Sequence, residues 1–340
     1  MMPTTQEFEN LPKISTIVSA YLDSLKLSRS PNTARTYRNG MLLFINVLKE
    51  QGLNPETTPV NKIPEDAIVW LAVELKDHAP STERLYLTAA TGFFEYLAAE
   101  NLAQVNLSRL RLLIRQRARR PGIRLPQFPR DAIETILDNI DTLAASYPEN
   151  DQVRLRNLRD RAFLITLADT GLRVHEACNL RRGDLDWKEG RAFVIGKGNR
   201  EAVVRFSQRA IDALKFYLNA RSSLDGASGK PLSALPLFAR HDKGAGKKVK
   251  PIDTGTGRNI VNLRVSQALG KKAVGSITPH SFRHYFVTRV LQASGNLKLA
   301  QELARHQNIA VTTRYAHLSD NELDQGYWNV FEDKIKEKKR

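Results

Sequence analysis

The sequence predicts a mainly α-helical protein with one small antiparallel β-sheet, divided into an all-helical N-terminal domain and a larger α+β domain. Three observations carry this. Apolar residues recur at helical spacing through residues 12–100 and again from residue 131 onward. Short β-branched runs separated by glycine turns are confined to the stretch around residues 187–206. Charge is segregated: the net +16 divides into −3 over residues 1–108, +8 over residues 109–130 and +11 over residues 131–340. A chain of 340 residues is long enough for two cores. The expected boundaries are 1–108 for the helical domain, 109–127 for a basic linker and 128–340 for the second domain.

In the first domain Ile14, Ile17, Val18, Tyr21, Leu22 and Leu25 form one helical face. Ser30-Pro31 has the chemistry of a helix start: a hydroxyl N-cap followed by a proline that gives up no needed donor. That second helix carries Tyr37, Met41, Phe44, Ile45 and Leu48 and ends before Gly52. Ile63-Pro64-Glu65-Asp66 opens a third, running to about Leu75. Pro80-Ser81-Thr82-Glu83 opens a fourth, with Leu87, Phe93, Phe94 and Tyr96. Lys26, Arg29, Arg35 and Arg38 cluster at the first helix junction, where they could meet a DNA backbone or form a solvated face.

Residues 109–130 hold eight arginines and no acid. Leu110, Leu112, Leu113 and Ile114 could continue a helix before Arg119-Arg120-Pro121-Gly122 interrupts it. Guanidinium groups match phosphate geometry, so Arg115, Arg117, Arg119 and Arg120 are expected to follow a nucleic-acid backbone.

The second domain begins with a helix from Asp131 carrying Ile136, Leu137 and Ile140, followed by a strongly apolar helix over 156–168 that ends at Thr170-Gly171. A short helix follows over Leu172–Leu180. Trp187 closes a strand, Ala192–Ile195 forms a second, Gly196-Lys197-Gly198-Asn199 turns, and Ala202–Phe206 returns. Arg209–Leu218 is helical, residues 221–257 are loop-rich, and helices resume from Asn259.

Composition narrows the function. No apolar run approaches the roughly 18 residues of a membrane span. The polar, acidic stretch Met1–Asn10 does not read as a signal peptide. Cys178 is the single cysteine, which precludes an internal disulfide or a thiolate metal cluster and suits a reducing cytoplasm, where a DNA partner would place the protein at the nucleoid. The net charge of +16, with a pI near 10.0, favours a polyanionic partner.

Within that frame several residues suit attack on a phosphate. Arg173 lies in Thr170-Gly171-Leu172-Arg173-Val174-His175-Glu176. Lys197 sits on a hairpin tip. His280 and Arg283 are one helical turn apart in His280-Ser281-Phe282-Arg283-His284. His306 follows in Ala304-Arg305-His306, and Tyr315 in Thr312-Thr313-Arg314-Tyr315. Singly, each has a bland reading: a surface ion pair, a hairpin turn, a packed tyrosine. Five in this order are another matter. The chain resembles the tyrosine recombinases, or phage integrase family, whose pattern is Thr-Gly-x-Arg-x-x-Glu, then Gly-Lys-Gly in a hairpin, then His-x-x-Arg, Leu-Gly-His and Thr-x-x-Tyr. The resemblance covers residues 12–317. It implies a core-binding (SAM-like) N-terminal domain and a recombinase catalytic domain.

The resemblance implies roles as well. Arg173 and Arg283 stabilise charge on the phosphoryl oxygens, which is what phosphoryl transfer most needs, and no metal or other cofactor is required. Tyr315 is the nucleophile, forming a 3′-phosphotyrosyl link that stores the bond energy for ATP-independent rejoining. A tyrosine with an ordinary pKa of about 10 needs a base and nearby cations at neutral pH. His280 is the expected base, Lys197 the general acid on the departing 5′-oxygen, and His306 a hydrogen-bond donor to the phosphate. The expected partner is double-stranded DNA with paired half-sites, bound by a homotetramer, and no membrane. The apolar residues Leu318, Leu323, Tyr327, Trp328, Val330 and Phe331 are expected to dock on a neighbouring protomer. With no arm-binding domain expected before Leu11, the resemblance leans toward Xer-like, integron or transposon integrases.

One position departs from the family pattern. Arg305 stands where a glycine usually precedes the histidine, so either an arginine adopts a left-handed backbone at about 1 kcal/mol or the turn is built differently, and its side chain could instead add a phosphate contact. Two other functions use the same scaffold: a non-catalytic DNA-binding or architectural protein, and a topoisomerase of the related type IB single-tyrosine mechanism. Two Asp-Thr-Gly triplets, at Asp169 and Asp253, superficially match an aspartic protease, but the first joins two helices and the expected fold is wrong for one.

Overall fold

A computed structural model of the chain describes residues 12–119, 129–146, 148, 150–196, 201–242, 244–246, 248–306 and 313. The chain divides into two compact units, Met1–Ile123 and Arg124–Arg340.

The first unit packs five helices: α1 (Ile14–Ser28), α2 (Pro31–Glu50), α3 (Ala67–Glu74), α4 (Pro80–Ala99) and α5 (Leu107–Arg117). Ser30 caps α2 by accepting from the Thr33 amide, and Pro31 occupies its first position. The core is aromatic. Phe44 meets Phe93 and Phe94 edge-on, and Tyr21 tilts against Phe93 and Tyr96. The Tyr21 hydroxyl donates to the Ala89 carbonyl at 3.1 Å. Gly92 makes room for it, since a Cβ there would lie 2.5 Å from that hydroxyl.

The basic segment is corrected by α5. Leu110 is fully buried in the first core, with Leu113, Ile114 and Ala118 packed against it, so residues 109–119 fold as part of the helical unit. Its apolar spacing decides this: one face finds a core while the arginines stay outside. Carboxylates distant in sequence serve several of those arginines. Arg109 reaches Glu65 and Asp66, Arg111 reaches Glu95, and Arg119 reaches Glu83.

In the second unit most of α7 (Asp151–Thr170) is buried from Asn157 onward, apolar residues such as Phe163, Leu164 and Leu167 together with Arg159 and Asp160, and Asp160 is paired by Arg159 and Arg264. The helix is flanked by α6 (Arg130–Ala145), α9 (Gln208–Ala220) and α12 (Pro279–Ser294). Strands β1 (Leu185–Asp186), β2 (Arg191–Ile195) and β3 (Glu201–Arg205) form one antiparallel sheet in the order β1-β2-β3, with Phe193 opposite Val203. Ala192 and Val194 face the core, and Arg191, Phe193 and Ile195 face out.

The stretch expected to be loop-rich contains α10 (Ser222–Gly226), anchored by the fully buried Arg221, which donates to Asp225 and to the Leu237 and Pro236 carbonyls. Helix α11 begins at Thr254, five residues before the expected Asn259. The Asp253 carboxylate accepts from the Thr256 amide and starts it there. Asp253 is therefore a cap, and Asp169 binds Arg209 and Ser207, which gives both Asp-Thr-Gly aspartates structural partners. The short α8 (Val174–Asn179) follows α7, and α13 (Leu297–Ala304) follows α12.

Candidate active site

Helix α7 ends in a left-handed residue, Gly171, with φ 60° and ψ 21°. Glycine is required there on two counts: the backbone conformation, and a Cβ that would sit 2.4 Å from the Phe286 ring. The turn places Arg173 at the start of α8. The Arg173 amide donates to Glu176 Oε2 at 2.9 Å and its Nη1 donates to Oε1 at 2.8 Å. The Arg173 side chain remains 38% exposed while that of Glu176 is 1% exposed.

Helix α12 starts at Pro279, where the Thr278 amide donates to the Ser281 hydroxyl at 3.0 Å. His280 lies at the exposed edge of its first turn, and His284 one turn later packs edge-on against it, ring centres 4.2 Å apart. Arg283 points the other way, into the protein, at 2% exposure. Its Nη1 donates to the Gly171 carbonyl and its Nη2 to the Ala304 carbonyl. One guanidinium thereby ties together the ends of α7 and α13, the segments that carry Arg173 and His306.

Helix α13 ends at Ala304. Arg305 adopts the left-handed conformation, φ 57° and ψ 43°, so the first of the two outcomes expected for this departure is the one found. The Arg305 and His306 amides close the helix on the Glu302 and Gln301 carbonyls at 3.0 and 3.1 Å. Gln301 Nε2 in turn donates to the His306 carbonyl at 3.0 Å. The Arg305 side chain folds inward, and its Nη2 donates to Glu176 Oε2 at 3.0 Å.

Electrostatics follow from this gathering of cations. Partial desolvation beneath its exposed edge, with Arg283 and Arg173, holds His280 below the ordinary imidazole range. Burial and the same two arginines, with smaller effects from His280 and His284, lower His306 to about 4. His284 is lowered to about 4 by burial, His280 and Arg283. All three shifts favour the neutral imidazole. Burial works against the Glu176 charge, but Arg305, followed by the Arg173 amide and guanidinium, holds this carboxyl below its usual range. Arg173 and Arg283 act on both His280 and His306, which puts all four in one electrostatic neighbourhood.

Of the residues singled out by sequence, Arg173, His280, Arg283 and His306 come together, while Lys197 and Tyr315 lie outside the described residues. So do Arg120 and the apolar residues of 318–340. Among the described residues, no group of three or more His, Cys, Asp or Glu is placed to hold a metal ion. No helix of the described residues is long and apolar enough to cross a membrane. In the first unit Lys26, Arg29, Arg35 and Arg38 are exposed around the end of α1 and the start of α2, with Lys26 beside Asp23. Arg115 and Arg117 are exposed on the last turn of α5. Arg119 is different: its amide and Nε donate to Glu83 and its Nη2 donates to the Leu75 and His78 carbonyls, so these donors are committed to groups of its own unit.

Sequence reasoning missed two features. One is Arg283 as the tie between three segments, because its partners are main-chain carbonyls that carry no sequence signal. The other is the ion pair between Arg305 and Glu176, for which the arginine at a glycine-like helix end was the visible clue.

The sequence model of the phage integrase family matches residues 127–322, more than half of the chain. Tyrosine recombinase XerC of Thermodesulfovibrio yellowstonii is 29% identical over 318 residues, covering 91% of this chain and 94% of that protein. XerC of Halalkalibacterium halodurans is 29% identical over 316 residues, covering 91% and 95%. Among solved structures, the XerH site-specific recombinase bound to its difH substrate in a pre-cleavage complex matches with a TM-score of 0.64 at 19% identity, covering 95% of this chain and 86% of that one. The Tn1549 transposon integrase in complex with transposon right end DNA matches with a TM-score of 0.63 at 18% identity, covering 94% and 99%. The chain belongs to the phage integrase family, the tyrosine-type site-specific recombinases.

Proposed function

We propose that this member of the phage integrase family cleaves and rejoins double-stranded DNA through a 3′-phosphotyrosyl intermediate, with Tyr315 as the nucleophile. The observation that carries this is the Arg283 guanidinium, which binds the segments bearing Arg173 and His306 to the helix bearing His280. A phosphodiester set among these residues meets two permanent cations and two neutral imidazoles. The cations stabilise the charge that develops on the non-bridging oxygens. A neutral His280 can accept the Tyr315 proton as its oxygen attacks phosphorus. The P–O5′ bond breaks as the P–O(Tyr) bond forms, and Lys197 supplies the proton to the leaving 5′-oxygen. The reverse attack by a 5′-hydroxyl restores the DNA and frees the tyrosine, so no ATP is consumed. His306 donates to a phosphate oxygen.

The exposed cations Lys26, Arg29, Arg35, Arg38, Arg115 and Arg117 fit contacts with the DNA backbone. Arg120 belongs with them by sequence, and Arg119 contributes by holding α5 in place. The working assembly is four protomers on two paired sites, as symmetric half-sites require. Relatives named XerC and neighbours solved with DNA substrates support the DNA partner.

The test uses nicked duplexes drawn from a randomised pool by covalent capture on wild-type protein. Wild type should form a denaturant-stable adduct, and Tyr315→Phe should bind the same DNA without forming one. An adduct from Tyr315→Phe, or none from wild type on DNA that it binds, rejects the reading. Recombination that needs two copies of the captured site separates it from relaxation of supercoils without site preference.

A further inference from the structure

Glu176 is held by two guanidinium groups, and the two sit differently. Arg173 takes Oε1 with its Nη1 and Oε2 with its amide, and its side chain stays 38% exposed. Arg305 takes Oε2 with its Nη2 from the other side, with its side chain 12% exposed. The carboxylate between them is 1% exposed. The order from surface to interior is a cation open to substrate, a buried anion, and a buried cation.

Against its ion pair with Glu176, Arg305 sets three features that cost stability. Its backbone is in the left-handed region, which disfavours any side chain. Its Nε and Nη1 are buried with no hydrogen-bond partner among the described residues. Burial drags its pKa below the ordinary arginine value, and Arg173 adds to that by repulsion. An outlier this costly at the edge of a site directs attention to function.

Charge supplies the reason. A guanidinium paired with one carboxylate is a neutral unit and attracts a phosphate weakly. A second guanidinium on the same carboxylate leaves the cluster with a net positive charge, held where water screens it poorly. We propose that Arg305 is a positioning residue for the cleavage reaction: it takes up the charge of Glu176, so that Arg173 keeps its own for the substrate phosphate. Glu176 can then fix the Arg173 fork without quenching it. The effect rests on the function proposed above and reaches the reaction only through Arg173.

Three variants test it: Arg305→Gly, Arg305→Lys, and Arg305→Gly combined with Glu176→Gln. Glycine suits the left-handed turn, so the first variant should fold, which its melting curve checks. The readout is the single-turnover rate of adduct formation at saturating concentration of a wild-type-captured nicked duplex. Arg305→Gly should slow this roughly ten-fold or more, less than the loss of a direct transition-state contact. Arg305→Lys should recover much of the rate. Adding Glu176→Gln to Arg305→Gly should also recover rate, because it removes the unbalanced charge. A purely structural role for Arg305 predicts the opposite, since the second change deletes what remains of the ion-pair cluster. A wild-type rate in Arg305→Gly, or a double variant as slow as the single one, overturns the proposal.

A second arm requires no cleavage. Inorganic phosphate should raise the melting temperature of wild type and of the double variant more than that of Arg305→Gly, relative to chloride at equal ionic strength. Equal rises in all three overturn the proposal. Failure of wild type to form any adduct would strike the recombinase reading instead, and leave the phosphate arm to decide this one.

Discussion

Glu83 in the helical unit and Glu176 in the catalytic unit are bound in nearly the same way. Each is buried, each accepts from the amide and the side chain of one arginine, and each has a second cation: Arg119 and Lys76 for Glu83, Arg173 and Arg305 for Glu176. The difference lies in the rest of each arginine. Arg119 sends Nη2 to the Leu75 and His78 carbonyls, which closes the cluster and fastens the end of α5 to its unit. Arg173, exposed to about the same degree as Arg119 (38% against 36%), sends no side-chain donor to a main-chain carbonyl among the described residues, and Arg305 Nε and Nη1 have no hydrogen-bond partner there. Identical ion-pair chemistry thus serves as a fastener in one unit and as a charged surface in the other. What distinguishes them is whether main-chain carbonyls consume the remaining donors.

Four experiments would break or sharpen this contrast. The largest effect is expected from Arg173→Ala, which should slow adduct formation by on the order of a thousand-fold while the melting temperature changes little. A large loss of stability would make the Glu176 cluster a fastener too. Arg119→Ala should behave in the opposite sense, costing about 3 kcal/mol in urea unfolding because it leaves Glu83 buried with Lys76 alone. An unchanged midpoint would show that the Glu83 cluster holds nothing together. Gly171→Ala should cost about 2 kcal/mol, from the left-handed backbone and the clash with Phe286. Phe286→Leu in the same chain should return part of that. If Gly171→Ala is neutral, the turn before Arg173 is looser than its geometry implies.

The smallest effect concerns pH. His284 and His306 are lowered to about 4 and His241 to about 3, against about 6.5 for an unfolded histidine. Between these values the unfolded chain binds more protons than the folded one, so stability rises with pH and is lost as pH falls from about 6.5 toward 4. Thermal melts at pH 7, 6 and 5 should decline in that order. His241→Gln, which removes a ring that bonds the buried Tyr217 hydroxyl at 2.8 Å, should flatten the decline. A flat wild-type profile would contradict these environments.

Much of the fold was legible because its signals are local. Ser30-Pro31, Pro80 and Thr278-Pro279 mark helix starts through capping geometry, and the observed helices begin at those positions. The hairpin was legible from β-branched runs around glycines. The end of the helical unit and the pairing of Arg109, Arg111 and Arg119 were not legible, because charge was counted over neighbours in sequence, whereas their carboxylate partners Glu65, Asp66, Glu83 and Glu95 lie 16 to 44 positions away. In the candidate site the sequence singled out Arg173, His280, Arg283 and His306, which the fold brings together, and it showed the anomaly of an arginine at a glycine-like helix end.

Sequence by itself determined which groups are available for chemistry, how many permanent cations flank them, and which helices carry them. Those properties belong to single residues or to one or two turns of chain. Tertiary structure decided the use of each group. Arg283 faces inward to carbonyls 112 and 21 positions away, and Arg305 finds a carboxylate 129 positions away. A buried guanidinium must place its donors wherever acceptors remain after the helices have packed. No periodicity or spacing encodes those acceptors, so the difference between a fastener and a charged site emerges only when the distant segments meet.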